Sequence, residues 1–169
     1  MKKINILAVA IIATLINTTS CKQIENIVSN NGLIGTWTST GESAVVVDAG
    51  AYTSVVEAVL SNLFKMPQTL VFNQDKTGTA TLLGGDAINF TYTDALGSLV
   101  IKFEKYMVSG VDIASVPLVF TYSIVDNKLS LTSNITEQVK LFLSLSGLPQ
   151  SELYSAVLTK VEIKGNYTK

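Results

Sequence analysis

The sequence predicts a mainly β chain: an antiparallel up-and-down barrel of about eight or nine strands with two inserted helices. Apolar and polar residues alternate with a period of two in segment after segment, the pattern of strands with one buried face. Short turns rich in Gly, Asn and Asp separate these segments, so consecutive strands pair as neighbours. Charged residues make up only 15% of the chain, and Ser and Thr take the polar positions instead, which suits strands better than helices. Closing such a meander into a barrel removes its exposed edges; an open β-sandwich is the competing arrangement.

The strands are read in order. Ile34 to Ser39 is the first, and Ala44 to Val47 continues it past Gly41. Gln68 to Asn73 places Leu70 and Phe72 on one face. Asp75-Lys76-Thr77-Gly78 reads as a tight turn, with glycine available where φ must be positive. Thr79 to Leu83 follows, and Gly84-Gly85-Asp86 turns the chain again. Ala87 to Thr93 sets Ile88, Phe90 and Tyr92 against Asn89, Thr91 and Thr93. In Leu99 to Phe103, Leu99, Ile101 and Phe103 oppose Val100 and Lys102. Leu118 to Val125 sets Phe120, Tyr122 and Ile124 against Thr121 and Ser123. Asp126-Asn127-Lys128 is a hairpin turn, from which Leu129 to Thr132 returns. The last strand, Val157 to Tyr167, sets Val161, Ile163 and Tyr167 against Lys160, Glu162 and Lys164.

Two segments change period. Tyr52, Val55, Val56, Val59, Leu60 and Leu63 recur at helical spacing, which predicts a buried helix over Tyr52 to Met66, stopped by Pro67. It covers or enters the open end of the barrel, as a lid or a plug. Thr136 to Leu148 is the second helix, with Thr136 as its cap, Gly147 at its end and Pro149 beyond.

The N-terminus reads as a targeting segment. Lys2 and Lys3 precede an apolar run from Ile4 to Ile16, and Asn17, Thr18, Thr19 and Ser20 lead into Cys21, the single cysteine. The run is shorter than the roughly 20 residues a membrane span needs. Small residues before a lone cysteine resemble a bacterial lipoprotein signal, although Thr18, Thr19 and Ser20 depart from its commonest form. The resemblance implies cleavage before Cys21, diacylglycerol on its sulfur with palmitate incorporation, and a place in the bacterial envelope, on the outer membrane. Residues 1–20 are then the signal peptide, 21–32 a lipid-anchored tether, and 33–169 one barrel domain.

Composition excludes several kinds of chemistry. The chain has no histidine and no arginine, and acylation of Cys21 leaves no free thiol. The usual general base, the soft metal ligands and the bidentate phosphate clamp are therefore missing. The formal charge is -1; without Lys2 and Lys3, ten lysines stand against thirteen acids, which gives -3. Such a chain is a poor ligand for nucleic acid. Asp75 and Asp126 head turns, but calcium needs several converging oxygens, so they read as solvated turn residues. No acid pair or serine elbow marks an active site. The expectation is a non-enzyme with no catalytic residues, metal or cofactor.

Gly35-Thr36-Trp37 opens the first strand. Leu70-Val71-Phe72-Asn73-Gln74-Asp75-Lys76-Thr77-Gly78-Thr79 and Phe90-Thr91-Tyr92 follow it. This order resembles the lipocalin-like (calycin) domains of small bacterial lipoproteins, over roughly residues 33–131. The resemblance implies that Gly35 and Trp37 form the closed base of the barrel. Lipocalins place an arginine over that tryptophan; here Lys160 or Lys164 is the available substitute. Phe72, Phe90, Tyr92, Phe103, Phe120 and Tyr122 would line the interior, where they are the candidate contacts for a small hydrophobic ligand. The alternative is a filled core in a structural or protein-interaction module of the envelope, whose protein partners the sequence does not name.

Replacing Cys21 with Ser is expected to abolish acylation and release a folded domain from the membrane. Palmitate labelling and detergent partitioning of Cys21→Ser check this; unchanged values would rule out the lipid anchor.

Overall fold

The computed structural model describes residues 32–169. The expected signal peptide, Cys21 and nearly all of the expected tether lie outside the described residues. Leu33–Lys169 forms one compact unit. It is a closed barrel of eight antiparallel strands, each paired with its neighbours in chain order, with the last strand returning to the first.

The barrel strands are β1 (Gly35–Asp48), β2 (Thr69–Phe72), β3 (Thr77–Thr81), β4 (Ala87–Ala95) and β5 (Ser98–Phe103), then β8 (Leu118–Val125), β9 (Lys128–Asn134) and β10 (Lys160–Thr168). A small ribbon, β6 (Met107–Val108) with β7 (Val111–Asp112), lies between β5 and β8. Helix α1 (Thr53–Leu63) follows a short 3-10 turn at Gly50–Tyr52, and α2 (Thr136–Ser146) and α3 (Ser151–Val157) separate β9 from β10.

Closure depends on β1. Its first residues pair with β2, Gly35 opposite Phe72 and Thr38 opposite Thr69. From Thr38 onward it pairs with β10, ending at Asp48 opposite Lys160. The register shifts between Ser39 and Ser43, where Gly41 takes a φ of 83°. This bulge bends the strand so that it can serve two partners.

The antiparallel order gives the barrel two unlike ends. At one end the strands are joined by short turns, 73–76, 96–97 and 126–127. All the long insertions leave from the other end: α1 between β1 and β2, the β6–β7 ribbon between β5 and β8, and α2 with α3 between β9 and β10. Their apolar faces have only the barrel mouth to cover. Val56 and Leu60 of α1 and Val139, Phe142 and Leu143 of α2 are buried there, as is Phe64 just after α1. The Phe64 and Phe142 rings meet edge to face at 5.5 Å.

Sequence and structure differ in several places. The first helix begins at Thr53 and ends at Leu63: in a continued helix the Pro67 ring would clash with the Leu63 carbonyl, and Phe64 already has φ -106° and ψ 97°. Its buried stripe is narrower than its apolar one, for Tyr52 and Val55 are 41% and 52% exposed. Thr136 does not cap α2. Its hydroxyl donates to Asn134 Oδ1 at 2.6 Å and accepts the Val161 N–H at 2.8 Å, tying α2 to β10. Gly147 ends α2 with a φ of 61°. Helix α3 and the β6–β7 ribbon were not expected, and α3 takes Val157 out of the last strand. In the β2–β3 turn the positive φ falls on Lys76, at 66°. Gly78 lies within β3 for another reason: a β-carbon there would stand 2.4 Å from the Phe90 ring and 2.3 Å from the Val71 carbonyl oxygen.

The short-turn end is sealed by Trp37. Its ring is fully buried, and its Nε1–H donates to the Leu33 carbonyl at 2.7 Å. The cation above it belongs to neither Lys160 nor Lys164. Both of these pair with Glu162 on the outer face, at 3.1 and 2.9 Å. Lys169 takes the place instead, with its Nζ 5.2 Å from the Trp37 ring centroid, within the range of a cation–π contact. Gly35 leaves room for the Lys169 stem, whose Cε would lie 2.6 Å from a β-carbon there. Trp37→Ala is expected to cost about 3–5 kcal/mol in urea unfolding, the range for large buried aromatics. A loss below about 1 kcal/mol would show that this end does not depend on the indole.

Candidate functional site

Eight strands enclose a space only wide enough for side chains or one small ligand. Inward residues therefore decide what the barrel holds. In the lower half, toward the short turns, aromatic rings fill it. Phe72 meets Tyr92 at 5.1 Å and Phe90 at 5.4 Å, all steeply inclined. Phe90 meets Phe103 at 5.7 Å, and Phe103 meets Tyr106 at 5.0 Å. The row runs from the closed end to the mouth. Tyr92 is anchored by its hydroxyl, which donates to the Asn73 carbonyl at 2.6 Å.

The upper half is lined by aliphatic side chains and small residues. Leu70, Ala80, Ile101, Leu131 and Ile163 surround a throat that Phe103 and Phe120 also line. Met66 and Pro67 close it from the α1–β2 connection, and Tyr106 and Lys65 lie at its rim. Lys65 is the one charged residue in this lining. The space open to a water-sized sphere is about 30 Å³, room for one or two water molecules. Small-molecule sites commonly measure roughly 300–1,000 Å³, so in this state the throat is closed.

The six aromatic candidates thus divide. Phe103 and Phe120 line the throat. Phe72, Phe90 and Tyr92 are buried below it, against one another. Tyr122 is only partly buried, and its N–H donates to the Gly97 carbonyl at 2.8 Å, beside the β4–β5 turn. Sequence reasoning missed Lys65, Met66 and Tyr106. They lie outside the barrel strands, so strand alternation carries no signal for them.

At the closed end Lys76 pairs with Asp94 at 2.6 Å. The Asp94 side chain is 1% exposed, and its Oδ2 is the one buried side-chain polar atom without a hydrogen-bond partner among the described residues. The hydrogen bond from Lys76 to Asp94 raises the Lys76 pKa. Asp75 and Asp126 occupy separate turns, Asp75 accepting the Thr77 hydroxyl and N–H at 2.6 and 3.0 Å. Those bonds hold its carboxyl below the usual range. No group of three or more acids or cysteines comes together to hold a metal among the described residues.

Comparison with protein-family models, with curated proteins and with solved structures finds no match for this chain.

Burial raises the hydroxyl pKa of Tyr167, and less strongly those of Tyr106, Tyr92 and Tyr122. The unfolded chain ionises its tyrosines near pH 10 while the native barrel keeps these protonated. The native state then holds more protons, so stability is intact below about pH 10 and falls as pH rises above it. Urea midpoints are expected to be flat from about pH 7 to 9 and to decline beyond about 10. Tyr167→Phe should make that decline shallower, by up to about 1.4 kcal/mol per pH unit; an unchanged slope would assign it to other groups.

Proposed function

We propose that this chain is a lipid-anchored protein of the bacterial envelope, with a lipocalin-like barrel that takes a small apolar ligand at its helix-covered end. Cys21 is the attachment point, carrying diacylglycerol, and the outer membrane is the host membrane. One observation carries the ligand reading: the apolar throat is closed by Met66 and Pro67, which belong to a connecting segment rather than to the barrel wall. A barrel whose only task is stability would be filled by its own strands, as the aromatic half is. A connection can move without breaking a strand ladder, which is how lids and loops gate sites.

The alternative is a filled scaffold that acts through its outer face in an envelope complex. The small free space, about 30 Å³, favours that reading. Native mass spectrometry of protein taken from its own envelope separates the two. The expected result is a bound small molecule beyond the covalent lipid on Cys21, displaced by a polarity-sensitive apolar dye. A bare mass in every preparation, with no dye uptake, would favour the scaffold.

A further inference from the structure

Met66 lines the throat from outside the barrel strands. Inward positions on β10 alternate as Val161, Ile163, Gly165 and Tyr167, all buried. Gly165 is a notch in this wall. A β-carbon there would lie 2.8 Å from Met66 Cε, 3.2 Å from Met66 Cγ and 3.1 Å from a Tyr167 ring carbon. The unbranched thioether therefore lies along the barrel wall, in space that any other residue at position 165 would obstruct.

The segment bearing Met66 is fastened on both sides of it. Phe64 N–H donates to the Leu60 carbonyl at 2.8 Å, and Gln68 N–H to the Thr81 carbonyl at 2.7 Å. The Tyr167 hydroxyl donates to the Pro67 carbonyl at 3.0 Å. Among the described residues Lys65 and Met66 make no hydrogen bond of their own. Met66 is thus held by packing alone, and its flexible chain can leave without breaking a hydrogen bond.

Charge sets the head group. Lys65 is exposed, lies at the rim of the throat and forms no ion pair among the described residues. An alkyl chain that replaced Met66 would emerge beside its ammonium. Asp86 and Glu104 are the opposing acids. They line an open groove that shares Leu82 and Ile88 with the throat and also carries Lys105.

We infer that Met66 is an internal occupant of the throat, displaced by an unbranched alkyl chain whose anionic head pairs with Lys65. The inference rests on the ligand-binding reading and names both the ligand class and the gate. The test uses the full chain in nanodiscs of neutral lipid, photolysed with a diazirine-bearing palmitate analogue and, separately, with an amine-headed analogue of the same chain. Adducts are located by peptide mass mapping. Palmitate is expected to label throat residues such as Leu70, Phe120 and Ile163, and the amine to label them less. Met66→Ala should raise throat labelling about tenfold, the scale set by losing about two methylene equivalents of competing contact. Met66→Leu should resemble the parent. Lys65→Glu should remove the preference for the carboxylate head. Near-ultraviolet circular dichroism of Trp37 confirms that each variant is folded. Throat labelling indifferent to both substitutions and to the head group would overturn this inference while leaving ligand binding standing. Labelling confined to the outer surface in every folded variant would overturn both.

Discussion

The barrel's interior is the constraint on which the rest of the molecule depends. Eight strands leave an axis that the inward side chains nearly fill, and their sizes decide how. On β4 the inward residues Phe90 and Tyr92 fill the lower half, where Gly78 opposite Phe90 makes room for the ring. Above them Ala80 and Gly165 are small, and the wall recedes. The receding wall is occupied by Met66 from outside the sheet. The contrast between a permanently filled half and a half filled by a connecting segment follows from residue size at a few inward positions. Deletion of a buried aromatic in the lower half would leave a cavity that its rigid neighbours cannot close.

The strands were legible because each has one wet face. The alternation in β4, β5 and β8 recovers their bounds to within a residue or two and correctly separates inward from outward side chains. The same alternation continues past the last expected strand. Val161, Ile163 and Tyr167 share a parity that Lys160 and Lys164 lack and that Lys169 has. The lysine over Trp37 was therefore readable from counting by twos. The mouth was not readable in this way. Its closure depends on where α1 stops and how residues 64–67 return to β2, which is tertiary geometry. Apolar periodicity in α1 overstated burial, since Tyr52 and Val55 have no partner surface at the barrel mouth. The short α3 and the β6–β7 ribbon lie below the length at which periodicity discriminates.

The two ends of the barrel differ in chemistry as well as in connection. The short-turn end joins a buried indole, a lysine above it and the Lys76–Asp94 pair. The mouth is apolar, covered by helices, and carries Lys65 at the throat, a cation without an ion pair among the described residues. The cover of the mouth includes Met66 and Pro67 from a connecting segment, so the strand ladders of the barrel do not run through it.

The pairing of β1 with β10 has a consequence for how the molecule is made. These strands are separated by nearly the whole domain, residues 35–48 against 160–168, so the ladder that closes the barrel joins the most distant parts of the chain. Loop-closure entropy must be met before that ladder contributes, and topologies of this kind fold slowly. Until β10 arrives, β1 and β9 are open edges of the type that recruit strands from other chains. The outward face of β10 carries Lys160, Glu162 and Lys164 in alternation, and β1 has Glu42 at its bulge. These charges keep the outward face of the seam that stays open longest polar and soluble, as gatekeeper charges do beside exposed strands.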